Sequence, residues 1–354
     1  MTGGPAAASA GACATCGQPV GPQDSFCEAC GTELAPASVS SGEPGKTRAC
    51  QYCPSSQISP DGYCDSCGRK VPSGRDHQEL DLGLLAGVTD RGLRHHRNED
   101  AMALATADTA AGPVALAVVC DGVSTSDRPD EASLAAAEAA VRVLLTAVRA
   151  GDDLLEASSA AVHAAGEAVK SLAGASRDAP SATLVSAVMT SEAVIVCWLG
   201  DSRAYWLAAP PGSAVPDSAA QRLTKDDSLA EVMVAAGLLD EADALASPHA
   251  HVVTRWIGAD LGESAPHVAT FEPPGPGVVL LCSDGLWNYQ PEAAKLADLA
   301  LPSALTDPLG AAARLVTFAL DAGGTDNITA VLAPFPPARP APAAFEGPGA
   351  PASA

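Results

Sequence analysis

Aromatic side chains are scarce in this 354-residue chain, at 4%. With 47% of the residues still hydrophobic, the core must be built mostly from Ala, Val and Leu. Positive charge is scarce too: 20 Lys and Arg stand against 42 Asp and Glu, a formal net charge of -22. So acidic a chain repels polyphosphate, which argues against broad nucleic-acid binding. There is no run of about 18 apolar residues, so no membrane span is expected. The N-terminal MTGGPAAASAGACATC has no basic stretch followed by an apolar one, so no secretory signal is read. The expectation is a soluble cytoplasmic protein, long enough for two domains or one large one.

Cysteine is present but unevenly placed. Eight of the eleven lie before residue 68, as Cys13/Cys16, Cys27/Cys30, Cys50/Cys53 and Cys64/Cys67. Each quartet is a C-x2-C pair, ten residues, then another C-x2-C pair, and the second quartet repeats the first at an offset of 37. Two cysteines three apart on a tight turn present both sulfurs to one ion, so the spacing fits tetrahedral thiolate coordination. Two structural Zn2+ ions are expected, and a redox-active or disulfide module is the alternative. Cys120, Cys197 and Cys282 sit inside apolar runs and read as plain core residues.

Residues 1–70 hold too few apolar side chains for a core of their own. Zinc would supply the missing stability, about 10–16 kcal/mol per site in small peptides. The expected organisation is a zinc-ribbon-like module at 1–34, a linker at 35–48 and a second module at 49–70. A further linker at 71–81 leads to a main domain at 82–335, and a disordered Pro/Ala-rich tail fills 336–354.

Within the main domain, β-like runs stand at 114–120, 183–190, 193–200, 202–208, 278–285 and 327–333. Two Ala-rich segments, 130–149 and 153–173, carry helical periodicity. A third helix is expected at 308–322, with Asp307 as its cap and Pro308 in its first turn. Clustered strands and consecutive helices read as α+β, with packed sheets and helices outside.

Acids recur where these strands end. Asp121-Gly122 closes VALAVVC, Asp201 follows AVIVCWLG, Asp284-Gly285 closes VVLLCS, and Asp326 precedes the last strand. One such acid is usually a turn former. Several converging on one edge would repel each other by about 4 kcal/mol per pair at about 4 Å and an effective dielectric of about 20. Divalent cations relieve that repulsion, and an all-oxygen donor set suits Mg2+ or Mn2+. The stretch RHHRNED, Arg94 to Asp100, gathers scarce cations directly before two more acids, Glu99 and Asp100. The plain reading of such a run is a solvated loop of mixed charge.

Taken in order, GLRHHRNEDAM, VVCDGVS, WLGDSRAYWL, LTKDDS, LCSDGLW and GGTDNITAVL resemble the PPM (type 2C) metal-dependent serine/threonine protein phosphatases, across 82–335. The resemblance implies a sandwich of two antiparallel β-sheets flanked by helices. It implies two Mn2+ or Mg2+ ions, joined by a water that attacks the phosphate of a phosphorylated Ser/Thr protein, such as a kinase or its targets. Carried over, Asp121 bridges both ions, Gly122 offers its carbonyl, and Asp284 and Asp326 are ligands. Glu99 and Asp100 hold metal-bound waters.

Departures from the family pattern qualify these roles. The usual phosphate-gripping Arg, four residues before Glu99, is replaced by His95. Arg94 and Arg97 flank it, and Arg94 stands nearer the usual position. DGVSTS replaces the family's glycine-rich loop, so water, His95 or His96 must supply the leaving-group proton. Asp201 matches a ligand of a third, weaker ion, but its usual partner is here Asn288. Asp227 stands where the family has His. The segment 228–270 corresponds to a variable flap, in which Arg255 reads either as fold-stabilising or as a substrate contact. The function expected is a protein phosphatase in signalling, with the zinc modules for targeting or regulation. The alternatives are a catalytically weak phosphoprotein-binding or scaffold module and, less in keeping with the few basic and aromatic residues of 1–70, a nucleic-acid-linked zinc ribbon.

Overall fold

The computed structural model describes residues 11–12, 19–20, 64–66, 74–174, 179–208, 220–240, 243–244, 247, 252–258 and 265–338. In the cysteine-rich region, β1 (Gly11–Ala12) pairs antiparallel with β2 (Pro19–Val20), so the two strands bracket Cys13 and Cys16 in sequence. Cys64 is buried. Cys13, Cys16, Cys27, Cys30, Cys50, Cys53 and Cys67 lie outside the described residues, as does the tail beyond residue 338.

Two antiparallel sheets make the body. One has six strands in the order β11 (Gln221–Arg222), β10 (Arg203–Ala208), β14 (Gly277–Cys282), β15 (Ile328–Phe335), β4 (Ala86–Asp90) and β3 (His77–Asp81). The other has five: β13 (His267–Phe271), β9 (Val194–Leu199), β8 (Leu184–Met189), β6 (Gly112–Asp121) and β5 (Asp100–Thr109). A small bridge joins β12 (Ile257–Gly258) to β7 (Ser181–Ala182).

The two-residue period of a strand divides each strand between two cores. On β6, Ala115, Ala117 and Val119 face the opposite sheet, while Leu116, Val118 and Cys120 face a helical layer. That layer is α1 (Pro129–Ala150) and α2 (Leu154–Lys170), which bury Ala136, Ala140, Leu144, Ala161 and Val162 there. On β14, Val279 and Leu281 face inward, and Val278, Leu280 and Cys282 meet a second helical layer. This layer is formed by α5 (Ala293–Ala304) and α6 (Pro308–Asp321). Short helices α3 (Leu229–Ala235) and α4 (Asp284–Trp287) stand beside strand ends. Among the described residues no helix is long and apolar enough to cross a membrane.

The expected sandwich, the three long helices and the core placement of Cys120, Cys197 and Cys282 all agree with the structure. The Asp307 carboxylate caps α6 by accepting from the Gly310 N–H. Two boundaries differ. Residues 77–81, expected in a linker, form β3, because Gln78 and Leu80 pair in register with Thr89 and Gly87 of β4. The body of the domain therefore starts before residue 82. The expected flap ends early, since His267 to Phe271 pair with β9 as part of the five-stranded sheet.

Candidate active site

Strand ends from both sheets meet at one edge. β5 starts at Asp100 and β6 ends at Asp121, and the register sets these two residues opposite each other. The Gly122 N–H donates to the Glu99 carbonyl at 3.1 Å, continuing the ladder past the acids. Asp121 is fixed from its other side by Thr183, whose N–H donates to the Asp121 carbonyl (2.8 Å) and whose Oγ1 accepts from the Asp121 N–H (3.2 Å). Glycine is required at 122 by close approach: a Cβ there would lie 2.3 Å from the Pro129 carbonyl oxygen and 2.8 Å from that of Glu99. The first turn of α1 thus rests directly on the turn after Asp121.

The other acids arrive from the second sheet and from the end of β9. Asp284 is the first residue of α4, just after β14. Asp326 precedes β15, and its Oδ1 accepts from the Asn327 N–H at 2.8 Å. Asp201 follows β9, and its carbonyl accepts from Trp287 Nε1 at 2.9 Å, which ties it to α4. Asn288, one turn along from Asp284, donates its Nδ2 to Asp284 Oδ2 at 3.2 Å.

The electrostatics are those of crowded, poorly hydrated carboxylates. Loss of water raises the Asp121 carboxyl well above its ordinary range, and Asp100, Asp284, Asp201 and Asp326 push it further. Asp284 rises likewise, first by desolvation and then through Asp201, Asp326 and Asp100. Burial and the neighbouring Asp226 raise Asp201 to about 7. Burial raises Asp100 to about 6, against hydrogen bonds that Ser283 Oγ (2.6 Å) and Thr329 Oγ1 (2.7 Å) donate to its Oδ2. Its Oδ1 is also buried and meets no hydrogen-bond donor among the described residues.

Among the described residues, no three His, Cys, Asp or Glu side chains close into a tight ligand group. The donor set still fits hard divalent cations. Every candidate ligand is oxygen, Asp100, Asp121, Asp201 and Asp284 are desolvated, and one buried carboxylate oxygen lacks a donor.

RHHRNED divides its cations. Glu99 Oε1 accepts from Arg97 Nε at 2.9 Å, and its Oε2 accepts from Ser124 Oγ at 2.5 Å. Arg97 Nη1 also lies 3.4 Å from Asp130 Oδ1, near the start of α1. His95 Nε2 stands 3.2 Å from Asp326 Oδ1, and its Nδ1 is 3.9 Å from Glu99 Oε2. Arg94 and His96 are exposed. The structure thus gathers Glu99, Asp100, Asp121, Gly122, Asp201, Asp284, Asp326 and Arg97 at one edge, and leaves Arg94 outside the ion pairs formed there.

Sequence reasoning missed Asn327. Its Oδ1 accepts from the Glu99 N–H (2.7 Å), and its Nδ2 donates to the carbonyls of Arg91 (2.7 Å) and Arg97 (3.1 Å), pinning the whole loop. The only signal for it was its position next to Asp326. Thr183, Ser283 and Ser124 were missed as well; Ser283 and Ser124 stand inside the quoted LCSDGLW and DGVSTS, but nothing in those stretches says that their hydroxyls donate to Asp100 and Glu99.

Comparison with known proteins finds relatives of the sequence and of the fold. A family model described as protein phosphatase 2C matches residues 93–306. The chain is similar to the serine/threonine phosphatase stp of Listeria innocua, at 33% identity over 152 residues, 42% of this chain and 55% of that protein. The match thus spans little more than half the length of that curated relative. The fold is similar to the crystal structure of the Mycobacterium tuberculosis serine/threonine phosphatase PstP/Ppp. The two share 27% identity and a TM-score of 0.56 over 70% of this chain and 97% of that one. A catalytic domain of PstP solved with two manganese ions shares the fold at 24% identity, with a TM-score of 0.54 over 71% of this chain and 97% of that one.

Proposed function

The chain belongs to the protein phosphatase 2C family, and from that premise we propose that it is a metal-dependent protein phosphatase acting on phosphorylated Ser and Thr. One observation carries the reading: strand ends from both sheets bring Asp100, Asp201, Asp284 and Asp326 close enough to the desolvated Asp121 that each pushes its carboxyl further above the ordinary range. Two Mn2+ or Mg2+ ions bound there would supply positive charge for a phosphate and acidify water near neutral pH. Asp121 would hold both, with the Gly122 carbonyl, Asp284 and Asp326 completing the set and Asp201 serving a weaker third.

Glu99, gripped by Arg97 and Ser124, orients water rather than ligating, and Asp100 does the same beside Asp121. Arg97 is half exposed at the rim, with its guanidinium steadied by Glu99 and Asp130. It is therefore the better placed to bind the substrate phosphate, and Arg94 is the alternative.

The test is phosphate release from a phosphothreonine peptide and from p-nitrophenyl phosphate, with Mn2+ and with a chelator. Metal-dependent turnover is expected. Phosphopeptide binding without turnover would replace this reading with that of a scaffold module.

The substrate class proposed is a phosphorylated protein, a kinase or one of its targets. We assign the cysteine quartets two Zn2+ ions, with a targeting or regulatory role. The β1–β2 pair supports this, because its two strands flank Cys13 and Cys16 in sequence and pair with each other. Thiolate sites and buried thiols also favour a reducing, cytoplasmic location. Elemental analysis of the purified chain should find about two zinc ions that persist when Mn2+ is removed. Finding none would overturn the zinc assignment and leave the phosphatase reading in place.

A further inference from the structure

Asp227 is a buried carboxylate with both oxygens engaged, at the base of α3. Its Oδ2 accepts from the Gly200 N–H at 3.0 Å, and its own N–H donates to the Gly200 carbonyl at 2.9 Å. Its Oδ1 accepts from Arg255 Nη1 at 3.2 Å and lies 2.9 Å from His267 Nε2. His267 and Arg255 are also 2.7 Å apart, and the His267 ring stacks on Trp198 with centroids 4.9 Å apart. Arg255 further donates to the Ala265 carbonyl. Arg255 is thus consumed by the fold, and the carboxylate it neutralises grips the residue directly before Asp201.

The Gly200 peptide has no slack. Its φ of +111° suits glycine, and a Cβ there would lie 2.6 Å from the Thr183 Cβ. Thr183 in turn holds Asp121. Gly200 is therefore clamped between the residue beneath Asp121 and the carboxylate of Asp227. The Asp227 carbonyl also accepts from the Thr254 N–H (2.7 Å), and Leu229 N–H donates to the Val252 carbonyl (2.8 Å), so this clamp is also the root of the α3 segment. Beyond the root, Val232 and Leu238 are exposed apolar side chains.

We propose that Asp227, backed by Arg255 and His267, is a positioning residue for Asp201. It would fix the geometry of the weakest divalent-cation step and couple that step to the α3 segment. This rests on the metal reading above. Groups that orient a ligand commonly change metal affinity by about 10- to 100-fold when lost. Asp227 acts through one peptide, so about tenfold is expected.

The experiment is Mn2+ titration of the full chain, followed by the electron paramagnetic resonance of free Mn2+, in wild type, Asp227→Asn, Asp201→Asn and the double variant. Asp227→Asn is expected to weaken the weakest Mn2+ step about tenfold and leave tighter steps unchanged. In the Asp201→Asn background it should change nothing further, because the step it tunes is already gone. A loss spread over all steps, or an additive loss in the double variant, would show a merely structural role and overturn the proposal. If wild type binds Mn2+ and Asp227→Asn binds it identically, this proposal alone fails. If wild type binds none, the metal reading fails with it. Should Asp227→Asn fold poorly by circular dichroism, Arg255→Gln, which keeps the Gly200 bonds, must shift the same step in the same direction by a smaller factor.

Discussion

Asp100 and Asp121 face each other across the β5–β6 ladder, at the first residue of one strand and the last of the next. Neither carboxylate can donate to the other when both are ionised, so the pair calls for a cation between or beside them. Asp121→Asn should lower kcat by at least about a hundredfold at saturating Mn2+, because a neutral amide cannot serve two dications. Turnover of p-nitrophenyl phosphate checks this; a variant keeping more than about a tenth of the wild-type rate would rule out the bridging role.

Arg97→Ala should raise KM for a phosphopeptide by about tenfold, the scale of one lost charge-assisted contact. Arg94→Ala should leave KM within about twofold. Steady-state kinetics on both variants decides between them, and the reverse pattern would move the phosphate contact to Arg94.

Gly122→Ala should destabilise the domain by about 2–3 kcal/mol, since its methyl would meet two backbone carbonyls that cannot swing aside. For a domain of this size that corresponds to a fall in Tm of about 5–10 °C. Calorimetry of the variant is the measurement, and an unchanged Tm would mean that α1 can retreat freely from the site.

His77 should make stability depend on pH. Its hydrogen bond to Asp90 at 2.7 Å, with Glu79 at 3.2 Å adding to it, raises its pKa to about 9. The folded state therefore holds the proton more tightly than the unfolded one. The stabilisation is complete below about pH 6.5 and is lost as pH rises through about 9. The ring is half exposed, so solvent screening limits the effect to about 1 kcal/mol or less. Urea unfolding should show wild type more stable than His77→Gln at pH 6, with the gap closed by pH 10.

Much of this architecture was legible in the sequence where a single pattern sufficed. α1, α2 and α6 announce themselves by apolar periodicity, and β6, β8, β9 and β14 by runs of Val, Leu and Ile. β5 does not. DAMALATADT is built mostly from helix formers, and it is a strand because it pairs with β6 along its length while α1 on one face and the opposite sheet on the other bury most of its side chains. β3 was missed because HQELD offers one apolar residue and no run. At the site, Asp121, Asp284 and Asp326 could be read from acids placed where strands end. Asn327, Thr183 and Ser283 could not, because their roles arise only when segments more than 40 residues apart converge. Asp227 was noticed as a departure, but its partners Gly200, Arg255 and His267 come from three other stretches of chain.

β3 has a consequence for how the protein keeps to itself. Among the described residues it is the outer strand of the six-stranded sheet, with one row of peptide groups turned away from β4. Its exposed positions are His77, Glu79 and Asp81, and a second strand docking there would bring its backbone against these polar and charged side chains. β4, the next strand in, reads AGVTD and is buried along nearly its whole length. A chain trimmed to begin at residue 82 would present β4 as a bare, apolar sheet edge, open to pairing with the same edge of another molecule. Aggregation of such a fragment would follow from a missing selvedge rather than from a damaged catalytic centre, whereas a fragment starting at residue 74 keeps its border and should not pair through this edge.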